Sequence, residues 1–502
     1  MNVNDLESDH TTPLAAIAQK HPRGLRTLFF TEMWERFSYY GMRALLVLFM
    51  VDKVRGGLGM DDKTATAIYG LYTAAVYLMS LPGGWLADRI LGAQRAVWYG
   101  GIIIALGHFT LAIPRTETFY LGLIFVVVGS GMLKPNMSAM VAELYPEGGA
   151  RRDAGFTIFY MGVNLGAFIG PLICSTLGEK INWHYGFGAA GVGMVLGLVQ
   201  FRLSRGLLGS AGLQRGNDRP LNAVECYGLM AVIAAAVAVV GLSMSGALKL
   251  NPIAMAQGMT TVILGIGVLY FVSVFLFCGL NKVEKERVAV ILVLFLASAL
   301  FWSGFEQAGS SFNLFAERMT NRHWLGIEIP AGWYQALGPV FIIAFAPVFA
   351  SLWVRLARRN LDPSIPVKFA FGLLLLAAGF LVMAGAAKVV VAGNQAAPTW
   401  LVTTYLLHTF GELCLSPVGL SSVTKLAPRK LVGQMMGVWF LATSLGNLLA
   451  GLLASEFNAD NTGGWPALYL KITILPVIAG VLLILLSRPV KRLMTGETRV
   501  RT

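Results

Sequence analysis

The sequence is poor in charged residues and in cysteine, and both shortages limit the class of protein to which it can belong. Asp, Glu, Lys and Arg make up 13% of the 502 residues, whereas 56% are hydrophobic. Soluble domains carry about 25% charged residues, so the composition indicates a chain with many membrane-spanning helices. The four cysteines lie in or beside apolar segments without metal-ligand spacing, which argues against a zinc site or a disulfide framework.

Motifs for nucleotide and zinc chemistry are also absent. The sequence has no Gly-x-x-x-x-Gly-Lys-Ser/Thr phosphate loop and no His-Glu-x-x-His pair, which would position phosphates or a catalytic zinc. We therefore expect a protein that is not an enzyme and is not driven directly by ATP. The net charge of +13 is spread between apolar runs and does not form a basic patch on a polar chain, so nucleic-acid binding is not expected.

Apolar segments long enough to cross a bilayer recur through the chain. A transmembrane helix needs about 20 mainly apolar residues, and fourteen segments approach this length. An even number of spans places both termini on one side of the membrane. The segments lie near residues 25–50, 64–87, 96–113, 119–143, 155–177, 185–203, 221–246, 253–280, 288–314, 331–354, 366–387, 399–424, 432–455 and 467–487.

The distribution of basic residues indicates which side that is. Outside the predicted spans, 26 of the 39 Lys and Arg residues lie on the side of the termini, and 10 lie on the other side. Because Lys and Arg are enriched in cytoplasmic loops, both termini are predicted to be cytoplasmic. The same bias accounts for the net positive charge.

The two halves of the chain resemble each other weakly. VNLGAFIG (163–170) in the fifth span parallels TSLGNLLAG (443–451) in the thirteenth. GMLKPN (131–136) and GELCLSPVG (411–419) occupy matching places in the fourth and twelfth spans. This pairing assigns six spans to each half and leaves 221–280 as two extra helices, to which we assign no transport role.

Two six-helix halves in parallel repeat form the architecture of major facilitator transporters. We therefore expect an all-α membrane protein with the major facilitator fold, in which two extra helices between the bundles make fourteen transmembrane helices. The loop GGWLADRILGAQR (83–95) resembles that superfamily's cytoplasmic Gly-x-x-x-Asp-Arg-x-x-Gly signature with one extra residue. The predicted parts are a cytoplasmic tail 1–22, an N-terminal six-helix bundle 23–203, a linker and two extra helices 204–284, a C-terminal six-helix bundle 285–488 and a cytoplasmic tail 489–502.

Seven ionisable residues lie well inside predicted spans. Each costs about 2.5–3.5 kcal/mol at a helix centre on insertion scales, so they must face one another or a wet cavity. Four acids face three bases, which leaves one carboxylate without a full partner and able to bind a proton. The alternative is a set of static salt bridges that lock the bundle. The seven are Glu32, Glu35, Arg36, Arg43, Lys134, Glu306 and Glu412.

One long motif resembles a known family. EMWERFSYYG (32–41) matches the Glu-x-x-Glu-Arg-Phe-x-Tyr-Tyr-Gly signature of the proton-coupled oligopeptide transporters. FYMGVNLGAF (159–168) resembles the family's second signature, and FWSGFEQ (301–307) and GELCLSPVGL (411–420) fit its conserved helices. The resemblance runs from about residue 22 to 490. It implies symport of di- and tripeptides with protons by alternating access, with no cofactor besides the proton as coupling ion.

The family implies a central cavity that binds the two charged ends of a peptide on opposite walls. Arg36, Tyr40 and Lys134 correspond to its carboxylate-binding residues, and Glu412 and Asn164 to the groups that bind the amino terminus. The remaining cavity residues implied by the resemblance are Tyr77, Trp302, Trp439 and Thr443.

Two gates are implied as well. Arg43 and Glu306 correspond to the pair that closes the outer gate, and Lys134 and Glu412 to the pair that closes the inner gate. Glu306 is our first choice for the proton site.

The motif glutamates have a coupling role in this interpretation. Glu32 and Glu35 are expected to couple the proton site to Arg36, and the plainer alternative is that they only neutralise it. His408, one turn before Glu412, could be a proton relay or a packed neutral side chain, and we favour packing.

Two positions depart from the family pattern. Gly70 stands where animal relatives have a histidine, so a histidine relay in the second span is not expected. Gly338 stands where many relatives have an asparagine, so an amide contact to the peptide ammonium is in doubt.

The resemblance also bears on location and partners. The short stretch 388–398 leaves no room for the large extracellular domain of animal relatives, which together with the extra helices suggests a bacterial inner-membrane protein. Di- and tripeptides and the lipid bilayer are the expected partners, and the protein is expected to work as a monomer. Two alternatives stay open: a major facilitator carrier for another small solute such as nitrate, and a receptor that binds peptide without transporting it.

Overall fold

Almost all of the described chain is helical. In the first half the helices are α1 (Arg23–Val51), α2 (Asp62–Leu78), α3 (Ser80–Leu86), α4 (Ala93–Leu111), α5 (Thr116–Glu143), α6 (Gly149–Lys180) and α7 (Trp183–Ser204). A π-helix Ala87–Leu91 follows α3, and a 3-10 turn Arg205–Leu208 follows α7. The computed structural model describes residues 20–147, 149–213, 222–245, 247–248, 251–324, 326–457 and 462–495.

The rest of the chain adds the extra pair and the second half. The extra pair is α8 (Ala223–Met244) and α9 (Pro252–Phe277). The second half consists of α10 (Lys282–Phe305), α11 (Ser311–Met319), α12 (Leu337–Arg358), α13 (Ile365–Val391), α14 (Pro398–Leu426), α15 (Val432–Ala454), α16 (Trp465–Leu485) and α17 (Ser487–Thr495). Short elements between them are the 3-10 turns Glu306–Gly309, Ala331–Ala336, Arg429–Leu431 and Thr462–Gly464, and the antiparallel strands β1 (His323–Trp324) and β2 (Ile327–Glu328).

Helices lie at all fourteen segments that the apolar runs predict. Among the described residues, ten helical segments are long and apolar enough to cross a membrane. The prediction of an all-α, multi-pass membrane protein is therefore confirmed, whereas the count of fourteen transmembrane helices stays a prediction. The tails 1–19 and 496–502 and the linker residues 214–221 lie outside the described residues.

A helical segment covers the predicted span 288–314, and its regular α-helix is interrupted at Glu306. Regular α10 ends at Phe305, and Glu306 begins a 3-10 turn that ends at Gly309. A Cβ at Gly309 would lie 1.9 Å from the hydroxyl oxygen of Tyr69. Only glycine permits this approach of α2 to the backbone, and the apolar pattern along the sequence does not reveal it.

The helices pack as the repeat suggests, and α2 and α15 join the two halves. The helix α1 packs on α6 as α10 packs on α15, and α4 packs on α5 as α13 packs on α14. Where α2 crosses α15, a Cβ at Gly70 would lie 2.9 Å from Cα of Gly451. A histidine at Gly70 would therefore push these helices apart, which agrees with the expectation that this position has no relay.

The extra pair is tied to both halves. The helix α9 packs against α2 and also against α15. At the start of α8, the Glu225 carboxylate accepts hydrogen bonds of 2.9 and 2.8 Å from Nη2 of Arg89, in the π-helix after α3. The same carboxylate caps α8 by accepting the N–H of Asn222 at 3.0 Å. The loop signature of the first half therefore contacts the extra pair directly.

The contact between α1 and α6 depends on a glycine, and we expect substitution there to destabilise the protein. A Cβ at Gly166 would lie 2.1 Å from the carbonyl oxygen of Met33, and this backbone atom can move only if the helices separate. Gly166→Ala should lower the unfolding midpoint in detergent, because overpacking costs about 1–3 kcal/mol.

The matched control for this prediction is Gly188→Ala. The nearest atom to a Cβ at Gly188 is Cβ of Ala112 at 3.9 Å, which is ordinary contact. Since alanine favours helix by about 1 kcal/mol over glycine, this variant should unfold at the wild-type midpoint or slightly above it. Equal midpoints for the two variants would contradict the close approach of α1 and α6.

Candidate functional site

The seven ionisable residues of the spans are enclosed in the bundle. Glu35 is fully buried, and Glu306 is 3% exposed. Lys134 is half-buried as a residue, but its Nζ atom is inaccessible. The expectation that these charges avoid lipid is met, and their partners now separate them into three groups.

The first group lies within α1. Nε of Arg36 donates a hydrogen bond of 2.8 Å to Oε1 of Glu32 and lies 2.7 Å from Oε2 of Glu35. The helical spacing places these side chains on one face, as predicted. One guanidinium thus faces two carboxylates, and Oε2 of Glu32 and Oε1 of Glu35 accept no hydrogen bond from any described residue.

The second group joins the halves. Nη2 of Arg43 on α1 donates to Oε2 of Glu306 at the end of α10, and Nε of Arg43 donates to the hydroxyl of Tyr69 at 2.5 Å. The guanidinium also lies 5.6 Å from the centroids of the Tyr40 and Tyr69 rings. The structure therefore brings together the two residues predicted for the outer gate.

The third group consists of two opposite charges that do not meet. Nζ of Lys134 on α5 and Oε2 of Glu412 on α14 have no hydrogen-bond partner among the described residues. Instead, the Lys134 ammonium lies 4.2 Å from the centroid of the Tyr39 ring and 5.0 Å from that of Tyr77. The predicted inner gate between Lys134 and Glu412 is therefore not formed in this conformation.

The remaining predicted residues make contacts of their own. The buried amide of Asn164 donates to the carbonyl of Tyr160 at 2.9 Å. Trp302 packs edge-on against Phe305, with ring centroids 5.3 Å apart. The other contacts are those of Trp439 with Phe369, at 6.3 Å between ring centroids, and of Thr443, whose carbonyl accepts the Asn447 amide at 2.9 Å.

Two tyrosines outside the predicted binding residues also belong to the site. Tyr39 lies between the charges, with its ring centroid 5.7 Å from the Arg36 guanidinium. Tyr69 accepts the hydrogen bond from Arg43. Helical spacing predicts that Tyr39 shares the face of Arg36, whereas nothing in the sequence singles out Tyr69 from other tyrosines of its span.

His408 is packed, as we favoured. It is 3% exposed, and its Nε2 lies 3.2 Å from the carbonyl oxygen of Leu376. Its ring lies 5.1 Å from that of Phe380 and 5.6 Å from that of Phe312, measured between centroids. A backbone partner and an aromatic cage favour a packing role for this residue.

Gly338 leaves open space beside α14. The nearest atom to a Cβ at this position is Oγ1 of Thr409, at 4.0 Å. The Thr409 hydroxyl is buried and has no hydrogen-bond partner among the described residues. The space that an asparagine side chain would occupy is thus available, one turn from Glu412.

A network of ion pairs at the Val51 end of α1 also joins the halves, and the sequence interpretation missed it. Arg318 forms a two-pronged pair with Asp62, at 2.7 and 2.9 Å. Lys180 donates to Glu328 at 2.7 Å. This hydrogen bond, more than the neighbouring charge of Arg322, keeps the pKa of Glu328 below its ordinary value.

Glu179 makes the most buried contact of this network. Its carboxylate accepts the backbone N–H groups of Ala331 and Gly332 at 2.7 and 2.8 Å, and lies 3.7 Å from Nη1 of Arg322. A carboxylate at the start of a helical turn is stabilised by the unpaired N–H groups there. The last turn of α6 is thereby fixed to the loop before α12.

Metal ligation has no support in the described part of the chain. No group of three or more His, Cys, Asp or Glu side chains is placed there to hold a metal ion.

Known proteins are similar to this chain in sequence and in fold. The sequence profile of the POT family matches residues 94–466. The chain is 43% identical to the peptide transporter YePEPT of Yersinia enterocolitica, over 99% of the chain and 100% of that protein. It is 37% identical to a di-/tripeptide transporter of Lactococcus lactis, over 95% of the chain and 97% of that protein.

A crystal structure of a mutant of the peptide transporter POT, in complex with alafosfalin, superimposes with a TM-score of 0.87 at 41% sequence identity. The superposition covers 97% of this chain and 100% of that one. The major facilitator fold expected from the repeat is therefore confirmed, and the matched relatives are transporters and not enzymes. With a family profile over most of its length and relatives aligned from end to end, the chain belongs to the POT family of proton-coupled oligopeptide transporters.

Proposed function

We propose that the chain carries di- and tripeptides into the cell across the bacterial inner membrane, together with protons, by alternating access. The Arg23 end of α1 faces the cytoplasm in this proposal, because most basic loop residues lie at that end. The names of the relatives from Yersinia and Lactococcus support the substrate class. No cofactor other than the coupling proton is invoked, and the monomeric state stays a prediction.

The observation that carries the proposal is that Lys134 and Glu412, which have opposite charges, do not pair with each other. An isolated charge in a bundle is costly unless a counter-charge or water meets it. Here a cation on α5 and an anion on α14 remain apart, each without an ion pair to a described residue. A short peptide supplies the complementary groups, since its carboxylate can pair with Lys134 and its ammonium with Glu412.

Arg36 adds a second cation to the carboxylate side. It contacts two glutamates in this structure, which is one more than charge balance requires. When a peptide carboxylate approaches, Arg36 can exchange one glutamate for it, and the released glutamate can take a proton. Glu32 and Glu35 thereby couple binding to proton uptake.

Proton uptake acts on the outer gate through Glu306. A neutral Glu306 no longer attracts Arg43 as an ion, so the closure between α1 and α10 weakens. The pairs of Asp62 with Arg318 and of Lys180 with Glu328 must separate in the same movement, because they also join the halves. In the present conformation these contacts are made while Lys134 and Glu412 are apart, which corresponds to a carrier closed outside and open inside.

Reconstituted vesicles test the substrate and the coupling together. Labelled di-alanine should accumulate against its gradient when an inward proton gradient is imposed, and an uncoupler should abolish the accumulation. Uptake that does not depend on the proton gradient would contradict the proposed proton coupling. Binding without flux would favour a receptor, and selective uptake of nitrate instead of peptides would favour the other carrier.

Glu306→Gln tests the proton site. Glutamine keeps the shape of the side chain but cannot exchange a proton, so accumulation driven by the gradient should fall at least tenfold while peptide exchange between equal pools persists. Glu456→Gln is the control, because Glu456 is an exposed acid that pairs with Lys471 at 2.9 Å. Accumulation at the wild-type level in Glu306→Gln would show that the coupling proton binds at another residue.

Cross-linking tests whether the outer ion pairs must separate. A double variant with Lys180→Cys and Glu328→Cys should react with a short bis-maleimide. In the native protein Nζ of Lys180 lies 2.7 Å from Oε2 of Glu328, so the two positions are close. Transport should stop after cross-linking, because the outer side can no longer open. Each single variant and the wild type, treated in parallel, correct for the native thiols. Undiminished transport with a complete cross-link would show that this end does not open.

A further inference from the structure

One face of α1 points away from the charged site and changes character along its length. Arg23, Arg26, Phe30, Trp34 and Phe37 follow one another in steps of three and four residues, so they share a face. This face begins with two arginines at the end that carries most of the basic loop residues and continues with aromatic side chains only.

The arginines border a pocket with an apolar floor. The pocket has a volume of about 660 Å³, and besides Arg23 and Arg26 it is lined by Phe29, Phe30 and Ile158 among other side chains, none of them acidic. Both arginines are exposed, and neither forms a hydrogen bond or ion pair with a described residue. The pocket therefore presents two unneutralised guanidinium groups above an apolar surface.

A second groove continues along the same side of the molecule. It has a volume of about 810 Å³ and is lined by Trp34 and Phe37 of α1, by Ile169 of α6 and by residues of α7 such as Val192 and Leu196. Ile158 in the first pocket and Ile169 in the second are eleven residues apart, or about three turns, and so lie on one face of α6. The two cavities lie along the same faces of α1 and α6, and α7 also borders the second one. We call this strip the seam, and it carries arginines at one end only.

The dimensions of the seam match one leaflet of a membrane. From Arg26 to Phe37 the helix rises about 16 Å, and half of the hydrocarbon core is about 15 Å thick. A ligand that fills the seam needs an anionic head at the arginines and an apolar chain along the aromatic residues.

We propose that an anionic phospholipid of the cytoplasmic leaflet binds in this seam, with its phosphate between Arg23 and Arg26 and an acyl chain along Trp34 and Phe37. Guanidinium groups match phosphate geometry, and basic pockets at the cytoplasmic ends of membrane helices attract anionic headgroups. The proposal rests on the proposed orientation of the Arg23 end, but lipid binding can be measured without transport. Failure of one proposal is therefore distinguishable from failure of the other.

Native mass spectrometry of the full chain tests the headgroup contact. The protein released from detergent should bind phosphatidylglycerol at least tenfold more tightly than phosphatidylcholine with the same acyl chains, and Arg23→Gln with Arg26→Gln should remove that preference. The control is Arg358→Gln with Arg359→Gln, which removes two exposed arginines at the corresponding end of α12. An unchanged preference in the first double variant, or an equal loss in the control, would overturn the site. The unfolding midpoint of each variant confirms that it is folded.

The acyl chain is located by cross-linking. A phosphatidylglycerol with a photoreactive acyl chain, in vesicles of otherwise neutral lipid, should label the segments around Trp34 and Ile169. Labelling spread over other helices would contradict a defined seam. Displacement of the lipid by millimolar inorganic phosphate would indicate a site for free phosphate, and absence of labelling at these segments would overturn the proposed path of the acyl chain.

Discussion

An ionised side chain inside an apolar bundle must find a counter-charge, and this requirement organises the whole molecule. In the family's motif on α1 the counter-charges of Arg36 come from the same helix, since Glu32 and Glu35 lie on its face. Arg43, two turns further on, has no acid on its own helix within reach. Its partner is Glu306, on the other half of the chain, so neutralising this one cation requires the halves to meet at the Val51 end of α1.

The same requirement explains why the opposite side of the site is incomplete. Lys134 and Glu412 carry opposite charges on different halves, and they would neutralise each other if those halves met at the other end. In this conformation they do not, and aromatic rings partly replace the missing partner of Lys134. A carrier needs charges that are paired in one conformation and free in another. Charges that always stay paired cannot bind a substrate, and buried charges that never find a partner destabilise the fold. In the proposed function, the peptide completes the set that the protein leaves open.

Three faces of the helix α1 make different contacts. Small residues on the neighbouring helices allow the close packing of one of them. One face presents the charged motif to the interior, and another runs from the exposed Arg23 to the buried Phe37. A third lies so close to α6 that a Cβ at Gly41 would be 2.5 Å from Sγ of Cys174. The cysteine is buried and free, so it acts here as a small packing residue, whereas Cys226 is exposed.

The sequence by itself determined the class of fold, the face of α1 and the family, because these depend on local periodicity and on a motif that is contiguous in the chain. It also determined that the buried charges could not all be satisfied, since four acids and three bases can be counted without coordinates. Only the tertiary structure showed that Lys134 and Glu412 stay apart and that further ion pairs join the halves at the Val51 end of α1. Glu179 and Arg318 look like ordinary loop-end charges in the sequence, and their partners lie more than a hundred residues away. The break at Glu306 likewise depends on Tyr69 approaching Gly309 from another helix. Such contacts are set by how the halves pack together, and no local pattern of residues encodes that packing.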